Sequence, residues 1–427
     1  MAEDKVIRDP VHNYIPVDSF TRKLLDTPEV QRLRYISQLG VSSFAYPGAC
    51  HTRLSHAIGT YHLMNAAIRH LEKDPIASKQ LNKHCQKTLR AAALLHDIGH
   101  APFSHLLEST FGGNHEDRTC QIIRDTNTQL GALLAGEGLA DDVANLIDKE
   151  DSSHPLWMKS LLSSQLDVDR MDYLLRDSHF TGAGYGRFDS YRLINTMELT
   201  REAEHEEQEA LLHPTWPRKA IIALEEYIFA RYYMYSAVYY HKTTRGYEKL
   251  LQAVLDRAAK LARDDDCPPC EPDMELLLGG DVPNDRFCRM SDSTVLSALH
   301  RWLDTPDRVL SDLCRRFLHR DGFKSISVTP RKVSLVSDNR RTEIHTYMES
   351  LDTCYSESVQ SYVLHDKGGI EPYYPYKWGV PQKTFNQYSY CPTKNPRTLL
   401  TNSPACRQLH KQAYSRDTTA LLNVLIA

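Results

Sequence analysis

Ala91-Ala92-Ala93-Leu94-Leu95-His96-Asp97-Ile98-Gly99-His100 is the stretch on which the reading of the chain turns. Small and apolar residues lead up to His96-Asp97, so the pair is expected at the edge of a deeply buried helix. An ionised aspartate there is costly without a partner. A divalent cation is a natural one, because it accepts both imidazole nitrogen and carboxylate oxygen. The bland alternative is a polar pair at a helix end, where histidine suits the macrodipole.

On the N-terminal side, Leu54, Ala57, Ile58, Tyr61, Met64, Ala67, Ile68 and Leu71 recur at helical spacing over 52–72. Arg53 and His56 are three apart there and share a face. On the C-terminal side, His100, His105, Glu108 and His115 follow at once, and Asp169, Asp172, Tyr173 and Asp177 stand in LDVDRMDYLLRD. Two histidines and two aspartates, His56, His96, Asp97 and Asp169, would balance a 2+ ion and leave coordination positions open for chemistry. Singly, each has an ordinary reading: His56 on a helix surface, Asp169 paired with Arg170 or Arg53. The ordered set is what points to a metal.

The spacing predicts further helices over 19–39 (with a break or start at Pro28), 88–98, from Phe103 to Gly112, and over 118–135, 139–149 and 157–177. VIRDPVHNYI reads as an extended segment and turn. Residues 190–213 read as a hairpin with a solvated acidic tip, and 217–263 as one or two long tyrosine-rich helices. Asp264–Pro283, acidic and rich in Pro and Gly, reads as a loop or linker. Cys267 and Cys270 fall in it and lack the second pair a zinc ribbon needs. Beyond 323, FKSISVTP and KVSLV alternate like strands, and the tract 366–404 is rich in Pro, Tyr and Asn. The expected architecture is mainly α. It has a helical core over 1–263, a loop and helical extension over 264–323, and a small C-terminal α+β lobe over 324–427.

The chain has 427 residues, 41% hydrophobic and 25% charged, with a formal net charge of -4. That is ordinary for a soluble globular protein and gives no global basic field for nucleic acid, although a local basic site stays open. No apolar run is long enough for a membrane span, and the charged N-terminus is no secretory signal. A cytoplasmic setting is expected, with the nucleus not excluded and the ten cysteines mostly reduced thiols.

The string HTRLSH…AAALLHDIGHAPFSH…NHED…LDVDRMDYLLRD, preceded by DTPEVQRLRYISQLG and followed by ARYYMYSAVYYHK, resembles the HD-domain phosphohydrolase superfamily. Within it, the chain is similar to the dNTP triphosphohydrolase branch typified by SAM and HD domain-containing proteins, here expected without the SAM domain. The similarity covers roughly the first 250 residues well and the rest loosely. It implies an HD-domain helical core and the reaction dNTP + water → deoxynucleoside + triphosphate. It implies a divalent ion (Mg, Mn, Fe or Zn) on His56, His96, Asp97 and Asp169.

His105 would be the catalytic acid, oriented by Glu108 where the family often has Asp, with His100 and His115 beside it in the catalytic group. Arg53 and Arg170 would meet phosphates, Arg170 standing where lysine is common. Gln38, Leu39, Tyr173 and Asp177 would shape the sugar pocket. Arg231, Tyr235 and Tyr239 would line the substrate from the aromatic helix, whose plain alternative is core or subunit packing. Lys5, Val6, Asp26 and Arg34 match positions for an activating nucleotide at a subunit interface of a dimer or tetramer, with Arg8 replacing an asparagine. The plain alternative for Asp26 and Arg34 is a surface ion pair. Two other functions stay open: an HD phosphohydrolase acting on another nucleotide, and an inactive nucleotide- or nucleic-acid-binding module.

Overall fold

A computed structural model describes residues 5–201, 212–264, 266–280, 282–328, 363–368 and 421–426. Within these, the side chains of His105, Ser109, Arg201 and the last three strands are outside the description. Strand β1 (Lys5–Asp9) pairs antiparallel with β2 (Asn13–Val17). The turn between them is tied by the Asp9 carboxylate, which accepts from the backbone N–H of Val11 and His12 at 2.9 and 2.8 Å.

Helix α1 (Ser19–Leu25) starts on Asp18, whose side chain accepts from the Thr21 N–H. Helix α2 (Pro28–Gln31) starts with Pro28 and passes into a 3₁₀ turn at Arg32–Tyr35. The helical stretch expected over 19–39 is thus broken at the proline, which suits a first helical position, and it stops at Tyr35. Helix α3 (Arg53–Leu71) matches expectation. Helix α4 (Lys83–Leu95) begins at Lys83 rather than 88, because Asn82 caps it through the Cys85 N–H. Ala91 to Leu95 are at most 1% exposed, so the small-residue run does sink into the core. Helix α5 (His105–Phe111) ends at Gly112 and Gly113, both at positive φ.

Two expected helices are each divided in two. In place of 118–135 there are α6 (His115–Arg124) and α7 (Gln129–Gly136). Between them Asp125 Oδ1 accepts from the Asn127 N–H at 3.0 Å and Thr128 caps α7 through the Gly131 N–H at 2.9 Å. Such side-chain bonds offer the backbone an alternative to helix. Helix α8 (Ala140–Ile147) follows. In place of 157–177 there are α9 (Leu156–Leu162) and α10 (Val168–Thr181), parted where Asp167 accepts from Ser164 N and Arg170 N at 2.6 and 2.7 Å.

The segment expected as a hairpin from 190 opens instead with α11 (Ser190–Thr196) before β3 (Glu198–Arg201) pairs with β4 (Leu212–Thr215). Its acidic tip lies outside the described residues. Helix α12 (Ile221–Met234) continues through a π-helical stretch, Tyr235–Tyr239, to α13 (Lys242–Arg263). Cys267 and Cys270 stand in non-helical backbone and are free thiols.

The expected linker also holds a helix, α14 (Pro272–Gly279), with proline at its first turn and Gly280 in the left-handed region at its end. The punctuation that suggested a loop marks the two ends of this helix. Helices α15 (Asn284–Phe287), α16 (Asp292–Arg301) and α17 (Arg308–Leu318) complete the helical body, with α17 packed on α13. The smaller C-terminal lobe shows β5 (Lys324–Val328), β6 (Val363–Gly368) and β7 (Leu421–Ile426) in the order β5-β7-β6, antiparallel throughout. The strand expected at FKSISVTP is β5; KVSLV and most of 366–404 lie outside the described residues. Among the described residues, no helix is long and apolar enough to cross a membrane.

Candidate metal centre

Helix α3 lies against both α4 and α10, and this packing brings three sequence-distant groups together. His56 projects from α3, His96 caps the end of α4, and Asp169 sits in the first turn of α10. Their ligand atoms lie within 4.8 Å of one another. His56 Nε2 is 3.0 Å from Asp169 Oδ1, and His96 Nε2 is 3.5 Å from the same oxygen.

Each imidazole is oriented from behind. His56 Nδ1 donates to Asp172 Oδ2 at 2.8 Å, and His96 Nδ1 donates to the Ala93 carbonyl at 3.0 Å. That arrangement turns both Nε2 atoms toward Asp169, as metal-binding histidines are usually held. His96 Nε2 is buried and has no hydrogen-bond partner. An orphaned acceptor facing a second imidazole and a carboxylate fits a divalent cation.

The electrostatics agree. Burial alone would pull His56 down, but Asp169 and Asp172 outweigh it and push it up to about 10. Burial would likewise raise Asp169, yet His56 and His96 hold its carboxyl well below the usual range. The carboxylate is therefore anionic, and the protein stabilises positive charge between these groups.

Asp97, the fourth expected ligand, stands at the edge of this cluster. Its carboxylate is 3.4 Å from His96 Nε2 and 3.8 Å from His56 Nε2. It also accepts from Arg53 Nη1 at 2.5 Å and lies 3.3 Å from His100 Nε2. It thereby joins a second group, Asp97, His100 and His115, whose ligand atoms also lie within 4.8 Å. His100 and His115 stack at 3.9 Å between centroids, and Glu108 reaches both, at 3.1 and 3.2 Å. Burial pushes His100 down to about 4, so its ring is neutral near pH 7.

Residues 53–177, which hold all of these candidate ligands, match the HD domain family, and residues 188–268 match the HD-associated region. An uncharacterized protein, YwfO of Bacillus subtilis, is 33% identical over 420 residues, spanning 97% of this chain and 88% of its own length. The crystal structure of a phosphohydrolase from Bacteroides thetaiotaomicron superposes with a TM-score of 0.71 at 30% identity, covering 86% of this chain and 88% of that one. The chain belongs to the HD-domain family. Among more distant relatives is the deoxynucleoside triphosphate triphosphohydrolase SAMHD1 of Gallus gallus, 29% identical over 287 residues. That match takes in 60% of this chain and 45% of the chicken protein.

Five of the remaining expected residues, Tyr173, Asp177, Arg231, Tyr235 and Tyr239, are joined by contacts that reach the His56 ring. Tyr173 packs 6.4 Å from the His56 ring and edge-on to Tyr239 at 6.1 Å. Tyr239 donates to Asp177 Oδ2 at 2.7 Å, and His51 Nε2 meets the other oxygen at 2.7 Å. Tyr235 lies edge-on to Tyr239 at 4.9 Å, with Arg231 over its ring. Gln38 Oε1, Arg170 Nε and Arg231 Nε are buried without hydrogen-bond partners. Leu39 is partly buried against the core.

Arg170 pairs with Asp167 at the cap of α10. His105 opens α5, and its side chain is outside the description. Lys5, Val6, Asp26 and Arg34 are exposed. Arg34 donates to Gln31 Oε1 at 2.9 Å, so the suggested surface pair with Asp26 does not form.

Sequence reasoning missed the scaffold behind His56. Asp172 is gripped by Arg176 through two bonds of 2.9 Å, and by His12 at 2.6 Å. Arg176 donates in turn to Asp9 at 2.8 Å. Both Asp172 and Arg176 are wholly buried. The four-residue spacing of Asp172 and Arg176 on one helix was the one local signal available.

Proposed function

We propose that this HD-domain protein is a metal-dependent dNTP triphosphohydrolase that converts dNTP and water to deoxynucleoside and triphosphate. The observation that carries the reading is the tyrosine wall beside the metal ligands: Tyr173 stands between His56 and Tyr239, and Tyr239 is fixed by Asp177. Such a wall suits a sugar ring and leaves little room for a 2′-hydroxyl, which selects deoxyribose by exclusion. The SAMHD1 likeness supports the same substrate class.

A divalent ion on His56, His96, Asp97 and Asp169 would polarise phosphate oxygens and acidify a bound water. Arg53, whose fork matches phosphate oxygens, stands beside Asp97. The unpartnered Arg231 and Arg170 nitrogens are further donors for the anionic chain. His105 would protonate the leaving 5′ oxygen, and neutral His100 with His115 and Glu108 would flank it. Exposed Lys5, Val6, Asp26 and Arg34 would be free to take an activating nucleotide between subunits of a homo-oligomer.

The test is product analysis. Purified protein is incubated with each dNTP and rNTP, with Mg2+ or Mn2+, and with guanine nucleotide as activator. Triphosphate released from dNTPs alone supports the reading. Orthophosphate release moves the substrate elsewhere in the family, and tight binding without turnover makes the chain a binding module.

A further inference from the structure

The turn between His96-Asp97 and α5 is strained. Phe103 and Ser104 are consecutive non-glycine residues at φ 52° and 58°, and Ser104 has ψ -130°. L-residues keep such angles only where surrounding contacts over-determine them. The contacts here come from outside the HD segment. Asp292, the first residue of α16, is buried, and its two oxygens accept from separate backbones: Phe103 N at 2.8 Å and Ser37 N at 2.9 Å. Its place in the first turn of α16 favours the negative charge. Arg32, also buried, donates to the carbonyls of Ile98, His100 and Met290 at 3.1, 2.8 and 2.7 Å, with its face over the Phe287 ring.

The product of this clamp is specific. Ser104 Oγ accepts from Arg53 Nε at 2.8 Å, so the strained turn holds the arginine that also grips Asp97. Ser37, on the other Asp292 oxygen, adjoins Gln38, whose buried Oε1 awaits a partner. One carboxylate therefore sets the spacing between two walls of the site.

We propose that Asp292 and Arg32 are positioning residues that lock the 98–104 turn and thereby aim Arg53. Neither lies within residues 53–177 or 188–268, the segments that match the HD domain and its associated region. The structural arm of the test stands alone, and only its activity arm rests on the phosphohydrolase reading. An alanine at 292 leaves two buried N–H groups without an acceptor. An asparagine accepts from one N–H while its amide opposes the other.

Hydrogen exchange by mass spectrometry is measured on metal-loaded wild type, Asp292→Asn, Asp292→Ala and Arg32→Met, well below their melting temperatures. Exchange in peptides spanning 98–104 should speed up by about tenfold or more in Asp292→Ala and Arg32→Met, less in Asp292→Asn, while α10 and α13 are unchanged. With bis(p-nitrophenyl) phosphate and Mn2+, Asp292→Ala should lower kcat about tenfold with KM nearly constant. In an Arg53→Ala background it should add little further loss.

Unchanged exchange over 98–104, exchange raised throughout the chain, or full additivity with Arg53→Ala would each overturn the proposal. If Asp292→Ala does not fold, Asp292→Asn decides the same question. Wild type inactive on the probe would count against the phosphohydrolase reading and leave the exchange result to judge the clamp.

Discussion

Gly59→Ala tests whether the scaffold behind His56 is as rigid as its contacts require. A Cβ at Gly59 would lie 1.9 Å from Asp172 Oδ1, 2.3 Å from Arg176 Nη2 and 2.6 Å from Asp172 Cγ. Neither side chain can retreat, because both are wholly buried and bonded to each other and to Asp9, His12 and His56. On propensity alone alanine would gain about 0.5–1 kcal/mol in a helix interior. Forcing apart α3 and α10 costs about 1–3 kcal/mol of overpacking, and a displaced partner in a buried ion pair costs about 3–5 kcal/mol.

The clash terms win, and a net loss of about 3 kcal/mol or more is expected. Asp172 would also leave the Nδ1 of His56, and losing such an outer-sphere partner weakens metal binding about 10–100-fold. Thermal unfolding and a chelator-competition titration measure the two effects. A Gly59→Ala protein that melts at or above the wild-type temperature and holds its metal equally well would refute the argument.

Asp169→Ala should lose the bound metal and all turnover while the far-ultraviolet dichroism stays native; metal analysis beside an activity assay decides it. Tyr173→Ala should narrow the preference for dNTP over rNTP, read as the ratio of kcat/KM for the two, and an unchanged ratio would remove Tyr173 from the sugar pocket. Glu29 is buried, with its oxygens accepting from Gln129 N and Leu130 N at the start of α7. Its replacement by alanine should cost about 1–2 kcal/mol in urea denaturation. Burial would raise the Asp307 carboxyl, but Arg257 and the α17 backbone N–H groups outweigh it and hold it low. A depressed carboxyl contributes stability that is present above its unfolded pKa of about 3.9 and is lost as pH falls through the folded value. Arg257→Met should therefore melt less steeply with acid below about pH 4 than wild type does.

The candidate metal ligands were legible because their chemistry conflicts with their surroundings. His96-Asp97 follows a run that only a core explains, and His56 and Asp169 fall on faces turned to the same place. Helix breaks were less legible. Apolar residues resume at helical spacing beyond 125–128 and 163–167, at Leu130 and Leu134 and at Val168 and Met171, while Asp125, Thr128 and Asp167 take over the backbone N–H groups between. A pattern of side-chain polarity does not register such a local competition.

The supports of the site were least legible, for a reason of distance. Asp172 and Arg176 look, in sequence, like a surface pair on a helix, and only Gly59, 113 positions earlier than Asp172, lets α3 come close enough to bury them. Asp9, the last residue of β1, and Asp292, the first of α16, lie far apart in the sequence, and neither has the spacing of a ligand set. Each is identified by which backbone N–H or guanidinium it meets. A metal ligand announces itself by residue type, whereas the carboxylate that holds the ligand's neighbour is defined only once the chain has folded. In this protein, then, the candidate reaction centre is written in the 53–177 segment, while the geometry that would make it competent is supplied from residues 9, 12, 32 and 292.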